Sequence, residues 1–156
     1  MTSATTSIRR AQAREAGALT ALTIRSKAWW GYDSAFMARA QPELTFHPSR
    51  FEPEFLVFVS ERDGRLAGFY SLIPLNQDQI ELNDLFVDPL FIGTRVGTEL
   101  WHHATETARS RNHRAILLTA DPNAETFYRK QGAITIRAVP SHIETDRILP
   151  RMEYLL

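Results

Sequence analysis

The stretch Leu85-Phe86-Val87-Asp88-Pro89-Leu90-Phe91-Ile92-Gly93-Thr94-Arg95-Val96-Gly97-Thr98-Glu99-Leu100 runs from an apolar strand, through a glycine-containing turn, into a helix. Asp88-Pro89 stops the strand, because proline donates no ladder hydrogen bond, and Val96, Leu100, Trp101, Ala104 and Ala108 then recur at helical spacing. At such a junction successive backbone amides converge with the positive end of the helix dipole. Gly93, Thr94, Arg95, Val96, Gly97 and Thr98 are therefore candidates for holding an anion, phosphate above all. Two common phosphate loops do not fit: no Lys-Ser/Thr follows the glycines, and Gly93 and Gly97 do not give G-x-G-x-x-G. Taken alone, the glycines are explained equally well by a tight strand-to-helix turn.

Upstream of this junction, Phe55 to Val59 is a continuous apolar run and Arg62-Asp63-Gly64-Arg65 supplies turn residues. Leu66 to Ile73 and Gln79 to Val87 are again strand-like, so an antiparallel meander is predicted. A short first strand is expected to end near Ile8, followed by a helix from Ala11 to about Trp30 and a second around Ala35 to Ala40, with Pro42 and Pro48 bracketing a loop. Downstream, Ala115 to Thr119 reads as a buried strand. Asp121-Pro122-Asn123-Ala124 opens a short helix through Lys130, with Asn123 as acceptor for its free amides, and Gly132 ends it. Ile134 to Val139 and Met152 to Leu156 close the chain as strands. The order predicts a mixed α/β sheet: a meander, a β-α-β-α unit and closing strands, in a single domain over residues 1–156.

The chain has 156 residues, 44% of them hydrophobic, which is long enough to build a core without staples. It has no cysteine, so disulfide frameworks, thiolate zinc sites, iron–sulfur clusters and thiol nucleophiles are excluded. Eighteen basic and 18 acidic side chains balance to zero charge, which argues against a nucleic-acid partner. No apolar run approaches the ~20 residues of a membrane span, and the N-terminus is polar, so a cytoplasmic location and no membrane partner are expected. An exposed strand near the C-terminus would let two chains pair as a homodimer.

A second segment, Asp121-Pro122-Asn123-Ala124-Glu125-Thr126-Phe127-Tyr128-Arg129-Lys130-Gln131-Gly132-Ala133, adds to the first. Together the two resemble the acyl-CoA-binding motifs of the GNAT superfamily of N-acetyltransferases. The resemblance implies a GNAT-like fold, acetyl-CoA as cosubstrate, and an amine-bearing acceptor, small molecule or protein. It implies that the loop from Gly93 to Thr98 holds the pyrophosphate of coenzyme A and that Asn123 and Phe127 border the pantetheine arm. The backbone amides of Phe86 and Val87 would meet the thioester carbonyl, and Tyr128 would face the sulfur. Two positions depart from the family pattern: Ile92 stands where Gln or Arg is usual, and Arg95 where Gly is usual. A left-handed backbone at Arg95 would cost about 1 kcal/mol or more, although its guanidinium also suits phosphate.

An acceptor amine with a lysine-like pKa of ~10.4 must lose a proton costing about 4 to 5 kcal/mol at pH 7. Glu81, in a register resembling the general-base glutamate of histone-acetylating members, is the candidate base and by strand alternation shares a face with Asn83; Asp84 or a water chain would serve as well. The phenol of Tyr128 is a mediocre acid towards a thiol of pKa about 8.5, so a hydrogen bond to the developing thiolate suffices. No covalent enzyme intermediate is expected. His102, His103 and Glu106 have metal-like spacing but fall beside the apolar stripe, on the solvated side, and no metal is expected. Arg109, Arg111 and Arg114 gather where the helix ends, which its dipole explains. Trp29, Trp30 and Tyr32 either fill the core beside Phe36 or stack on an acceptor. Transfer of acetyl from acetyl-CoA to a primary amine is thus the first expectation. A non-catalytic acyl-CoA-binding regulatory module and an unrelated phosphate-ligand binder are the alternatives.

Overall fold

Strands β1 (Thr6–Arg10), β2 (Leu56–Arg62), β3 (Arg65–Pro74) and β4 (Gln79–Val87) pair antiparallel in chain order. Strand β5 (Ala115–Thr119) joins β4 in parallel, and β7 (Ile148–Leu155) then β6 (Ile134–Pro140) extend the sheet antiparallel beyond it. This mixed seven-stranded sheet belongs to a computed structural model that describes residues 6–144 and 146–156.

Alternation in β2 sends its side chains to two separate cores. Val57 and Val59 pack with Phe69 under Leu19 and Leu22 of α1 (Ala16–Ala28), while Leu56 joins Tyr70, Leu72 and the buried stripe of α3 (Val96–Ser110). Helix α2 (Ser34–Leu44) lies with α1 on one side of the sheet, and α4 (Glu125–Lys130) adds Tyr128 to the core on the other. Among the described residues no helix is long and apolar enough to cross a membrane.

Several local expectations need correction. Ile8 sits in the middle of β1, where it pairs with Ser60, rather than at its end. Helix α2 runs through Pro42 to Leu44, because Phe36, Ala40 and Leu44 continue one buried stripe at four-residue spacing; Asp33 caps it by accepting from the Phe36 amide at 2.8 Å. Strand β7 begins at Ile148, four residues earlier than its sequence suggests, since β6 pairs with it from Pro140↔Ile148 onward. Asp121, not Asn123, caps the turn before α4: its carboxylate accepts from the Asn123 amide at 2.8 Å.

Gly68 on β3 sets where α3 starts. A Cβ built there would lie 2.7 Å from the Phe86 carbonyl oxygen, 2.9 Å from Leu100 Cδ1 and 3.2 Å from Val96 Cγ1. One of these is backbone and two belong to the first turns of α3, so relief requires lifting the helix off the strand. Gly68→Ala is expected to cost about 2 kcal/mol, measured by chemical denaturation, a typical cost of overpacking a filled site.

Candidate active site

The parallel pairing of β4 with β5 is short. It covers Gln79↔Ala115, Ile80↔Ile116 and Glu81↔Leu117, after which β5 continues only against β7 and the two strands part. Asn83 is an extra residue in β4, since Ser71 pairs with Asp84 but the next β3 residue, Leu72, pairs with Leu82. Beyond this bulge the edge of β4 facing β5 has no ladder partner among the described residues. The Asp88 amide donates to the Ala67 carbonyl of β3 at 2.8 Å, and amides alternate sides along an antiparallel strand. The Phe86 amide therefore also faces β3, and those of Leu85 and Val87 face the gap. Of the two amides named from the sequence, Val87 points into the cleft and Phe86 into the sheet.

A cavity of about 720 Å³ fills this gap. It brings together ten of the twelve predicted site residues: Phe86, Val87, Gly93, Arg95, Val96, Gly97, Thr98, Asn123, Phe127 and Tyr128 all line it, whereas Glu81 and Thr94 do not. Thr94 turns back into its own loop, its amide and hydroxyl both donating to the Phe91 carbonyl at 3.2 and 2.5 Å. At the start of α3 the first helical bond runs from the Glu99 amide to the Arg95 carbonyl, 3.0 Å. The amides of Val96, Gly97 and Thr98 precede it and point out of the helix end, as an anion site requires.

Arg95 occupies the left-handed region, φ 71° and ψ 9°, and its neighbour Gly93 has φ 82°. The usual glycine at this position thus has a backbone reason. A side chain in this region costs roughly 1–2 kcal/mol, and a glycine loses roughly half that again in unfolded-chain entropy. Arg95→Gly is expected to stabilise the fold by about 0.5 to 1 kcal/mol in denaturant titration, and a loss of stability would show that the guanidinium contributes contacts outweighing the strain.

Two side chains reach the cavity from opposite faces of the sheet. Tyr128 belongs to the α3 core, is 7% exposed and packs edge-on against Trp101 and Phe127, with ring centroids 5.7 and 5.1 Å away. Its hydroxyl has no hydrogen-bond partner among the described residues. Burial, and then the negative charge of Asp84, push this phenol above the ordinary tyrosine range. Asp84 lines the same cavity, accepting from Ser71 Oγ at 2.6 Å and from the Arg50 guanidinium at 3.0 Å. Burial pushes its carboxyl up, with Ser71 and Arg50 pulling the other way.

Glu81 is placed differently. Its two oxygens accept from both terminal nitrogens of Arg151 at 2.6 and 2.7 Å, a bidentate pair in which both side chains are largely buried. The bulge also changes its face: Glu81 pairs with Ile73 and Asp84 with Ser71, two residues apart on β3, so Glu81 shares a face with Asp84 and not with Asn83.

The cavity wall also holds a cluster that sequence reading did not assemble. Asp121 Oδ2 accepts from Lys27 Nζ, from the Tyr32 hydroxyl at 2.8 Å and from Arg147 at 3.3 Å, and Arg147 also donates to the Tyr32 hydroxyl. Asn123 donates from its amide to Tyr32 at 3.2 Å and to Asp121 at 3.0 Å. Tyr32 and Phe36 stack at 4.2 Å, with Lys27 5.0 Å and Arg147 4.9 Å from the Tyr32 ring. Burial pushes the Asp121 carboxyl up, but Lys27 and the Asn123 and Tyr32 donors outweigh it and hold it at about 2. Tyr32 itself is pushed up to about 12 by burial and by Asp121.

Trp29 and Trp30 are 52% and 44% exposed and line the cavity, so they are wall and not core. Of the two helix histidines, His102 is exposed as expected and only His103 differs. His103 is half-buried against the back of the sheet, its Nδ1 2.6 Å from the Tyr70 hydroxyl and its ring 4.8 Å from Phe58. Burial pushes its pKa down. Among the described residues no group of three His, Cys, Asp or Glu side chains is arranged to hold a metal ion.

A splayed parallel pair, amides at a helix start and a buried phenol give a cleft that suits a long, phosphorylated thioester. Solved structures with the same fold include the PaiA N-acetyltransferase from Thermoplasma acidophilum in complex with coenzyme A (18% identity, TM-score 0.79, 97% of this chain and 99% of that one). A GCN5-related N-acetyltransferase from Rhodopseudomonas palustris aligns over 100% of this chain and 99% of its own at 21% identity and TM-score 0.79. An aminoglycoside 6'-N-acetyltransferase complexed with coenzyme A aligns over 96% of both chains at 18% identity and TM-score 0.74. No curated protein sequence matches the chain. The family profile described as "Acetyltransferase (GNAT) family" matches residues 21–133, about three-quarters of the length, from within α1 to just past α4. This chain belongs to the GNAT family of acetyltransferases, acyltransferases whose cosubstrate is acetyl-CoA.

Proposed function

We propose that this protein moves the acetyl group of acetyl-CoA onto a primary amine by direct attack within a ternary complex. The observation that supports this best is the early parting of β4 from β5, which leaves the Leu85 and Val87 amides facing a cleft beside an unpartnered phenol. A pantetheine arm can pair with such a free edge as an added strand would. In this reading the Val96–Thr98 amides hold the diphosphate, and the Val87 amide donates to the thioester oxygen as negative charge develops there.

Asp84 takes the role for which the sequence suggested Glu81. It lines the cleft and its raised pKa makes it a better proton acceptor than an ordinary carboxylate, whereas Glu81 is committed to Arg151. Asp84 removes the ammonium proton, and the freed amine forms its bond to the acyl carbon as the carbon–sulfur bond breaks. The second proton lost by nitrogen ends on the departing thiolate. Tyr128 steadies that thiolate by a hydrogen bond, since complete transfer from a phenol of raised pKa is uphill.

Thiol release from acetyl-CoA against a panel of primary amines tests the reading, together with calorimetric titration of coenzyme A and ATP. Turnover on at least one amine, with coenzyme A bound and ATP not, is the expected result. Affinity for ATP without affinity for coenzyme A overturns it, and coenzyme A binding with no turnover favours a regulatory module instead. Tyr128→Phe is expected to slow turnover about tenfold, the worth of one hydrogen bond to a charged atom, without lowering stability, because among the described residues the hydroxyl bonds to no protein group.

A further inference from the structure

The Asp121 cluster is electrically unbalanced. Two cations, Lys27 and Arg147, share one carboxylate, and the three side chains are only 12%, 16% and 13% exposed. A surplus positive charge removed from water calls for a counter-ion, because the protein has given up solvation without full replacement. The surplus faces the cavity: Lys27, Asp121 and Arg147 all line it. Among the described residues Arg147 spends one terminal nitrogen on Tyr32 and Asp121, and its other terminal nitrogen and Nε bond to nothing.

The remaining charges of the cavity wall do not cancel this surplus. Asp84 is answered by Arg50, and Arg95 stands at the helix start where the diphosphate is expected. Glu43 lines the rim but is exposed, where water and salt screen it. Beside the cluster, the two indoles of Trp29 and Trp30 with Leu44 and Ile143 make an apolar wall.

Resting on the acetyl-transfer reading above, we propose that the acceptor is a small amine that also carries a carboxylate and an apolar group, an aromatic α-amino acid being the simplest case. Arg147 and Lys27 hold the carboxylate, the indoles cover the side chain, and Asp84 faces the amine. The arrangement complements a zwitterion. It opposes a polyamine, whose further ammonium groups would be pressed against Lys27 and Arg147.

Calorimetric titration of the protein saturated with coenzyme A, using L-phenylalanine, L-phenylalaninamide and spermidine in turn, tests this. L-Phenylalanine is expected to bind at least about tenfold tighter than its amide, which has the same amine and ring but no carboxylate, and tighter than spermidine. Arg147→Gln is expected to bring the acid-to-amide ratio to within about twofold of unity. The wild-type comparison stands by itself if that variant does not fold. Equal affinity for acid and amide, tighter binding of spermidine, or no binding of L-phenylalanine overturns the proposal. Failure of the transfer reading is separate: it shows as absent thiol release with every amine, whatever this titration gives.

Discussion

Asp84→Asn is expected to lower kcat/KM by roughly 10²-fold or more, the usual contribution of a positioned general base. The substitution keeps size and an oxygen for the Ser71 hydroxyl, and it leaves Arg50, 26% exposed, able to reach water, so the fold should survive. The stronger signature lies in the pH profile. Asp84 acts in its ionised form, so kcat/KM of the parent protein falls as pH drops through the Asp84 pKa, which burial holds above the ordinary carboxylate value. In the Asn variant that acidic limb disappears. The companion variant Glu81→Gln breaks the bidentate pair with Arg151 and is expected to cost stability while leaving the acidic limb in place. A profile that loses its limb with Glu81 and keeps it with Asp84 would reverse the assignment.

Asp121→Asn is the largest stability change we expect, about 3 to 5 kcal/mol in denaturant titration near neutral pH. Asparagine keeps an oxygen to cap the Asn123 amide but leaves Lys27 and Arg147 side by side without a counter-charge. The native carboxyl titrates at about 2. Its ordinary value is about 3.9, so its charge contributes roughly 2.5 kcal/mol. The sign follows from the depressed pKa: this part is fully present above pH ~4 and is lost as pH falls towards 2. The variant should therefore show a flatter stability curve over that interval. Because the penalty comes from unpaired cations, adding Lys27→Met is expected to recover at least about 1 kcal/mol, a non-additivity that simple loss of packing would not give.

The α3 face and the glycine turn were legible in the sequence because they rest on local rules. Apolar spacing marks the buried stripe from Val96 to Ala108, and Asp88-Pro89 ends a strand wherever it stands. Strands β4 and β5 were readable to their limits, β5 as an apolar run and β4 as alternating Ile80 and Leu82 leading into Leu85-Phe86-Val87, with Asp88-Pro89 and Asp121-Pro122 as stops. The bulge at Asn83 was not, since one extra residue carries no glycine or proline to announce it. That single residue decides which acid faces the cleft. The Asp121 cluster was also hidden: Lys27 and Asp121 are 94 positions apart, and only the folding of α1 and the segment before β7 onto the end of β5 joins them. Trp29 and Trp30 follow the same logic, for an indole beside a cavity and an indole in a core look alike in one dimension.

A crystal structure of the protein with coenzyme A bears most directly on the central claim, that the gap between β4 and β5 carries the pantetheine arm from the start of α3 to Tyr128. The expected result is diphosphate within hydrogen-bonding distance of the Val96, Gly97 and Thr98 amides, and the sulfur beside the Tyr128 hydroxyl. Coenzyme A bound elsewhere, or a cleft still empty at saturating ligand with Arg95 across its mouth, would contradict it.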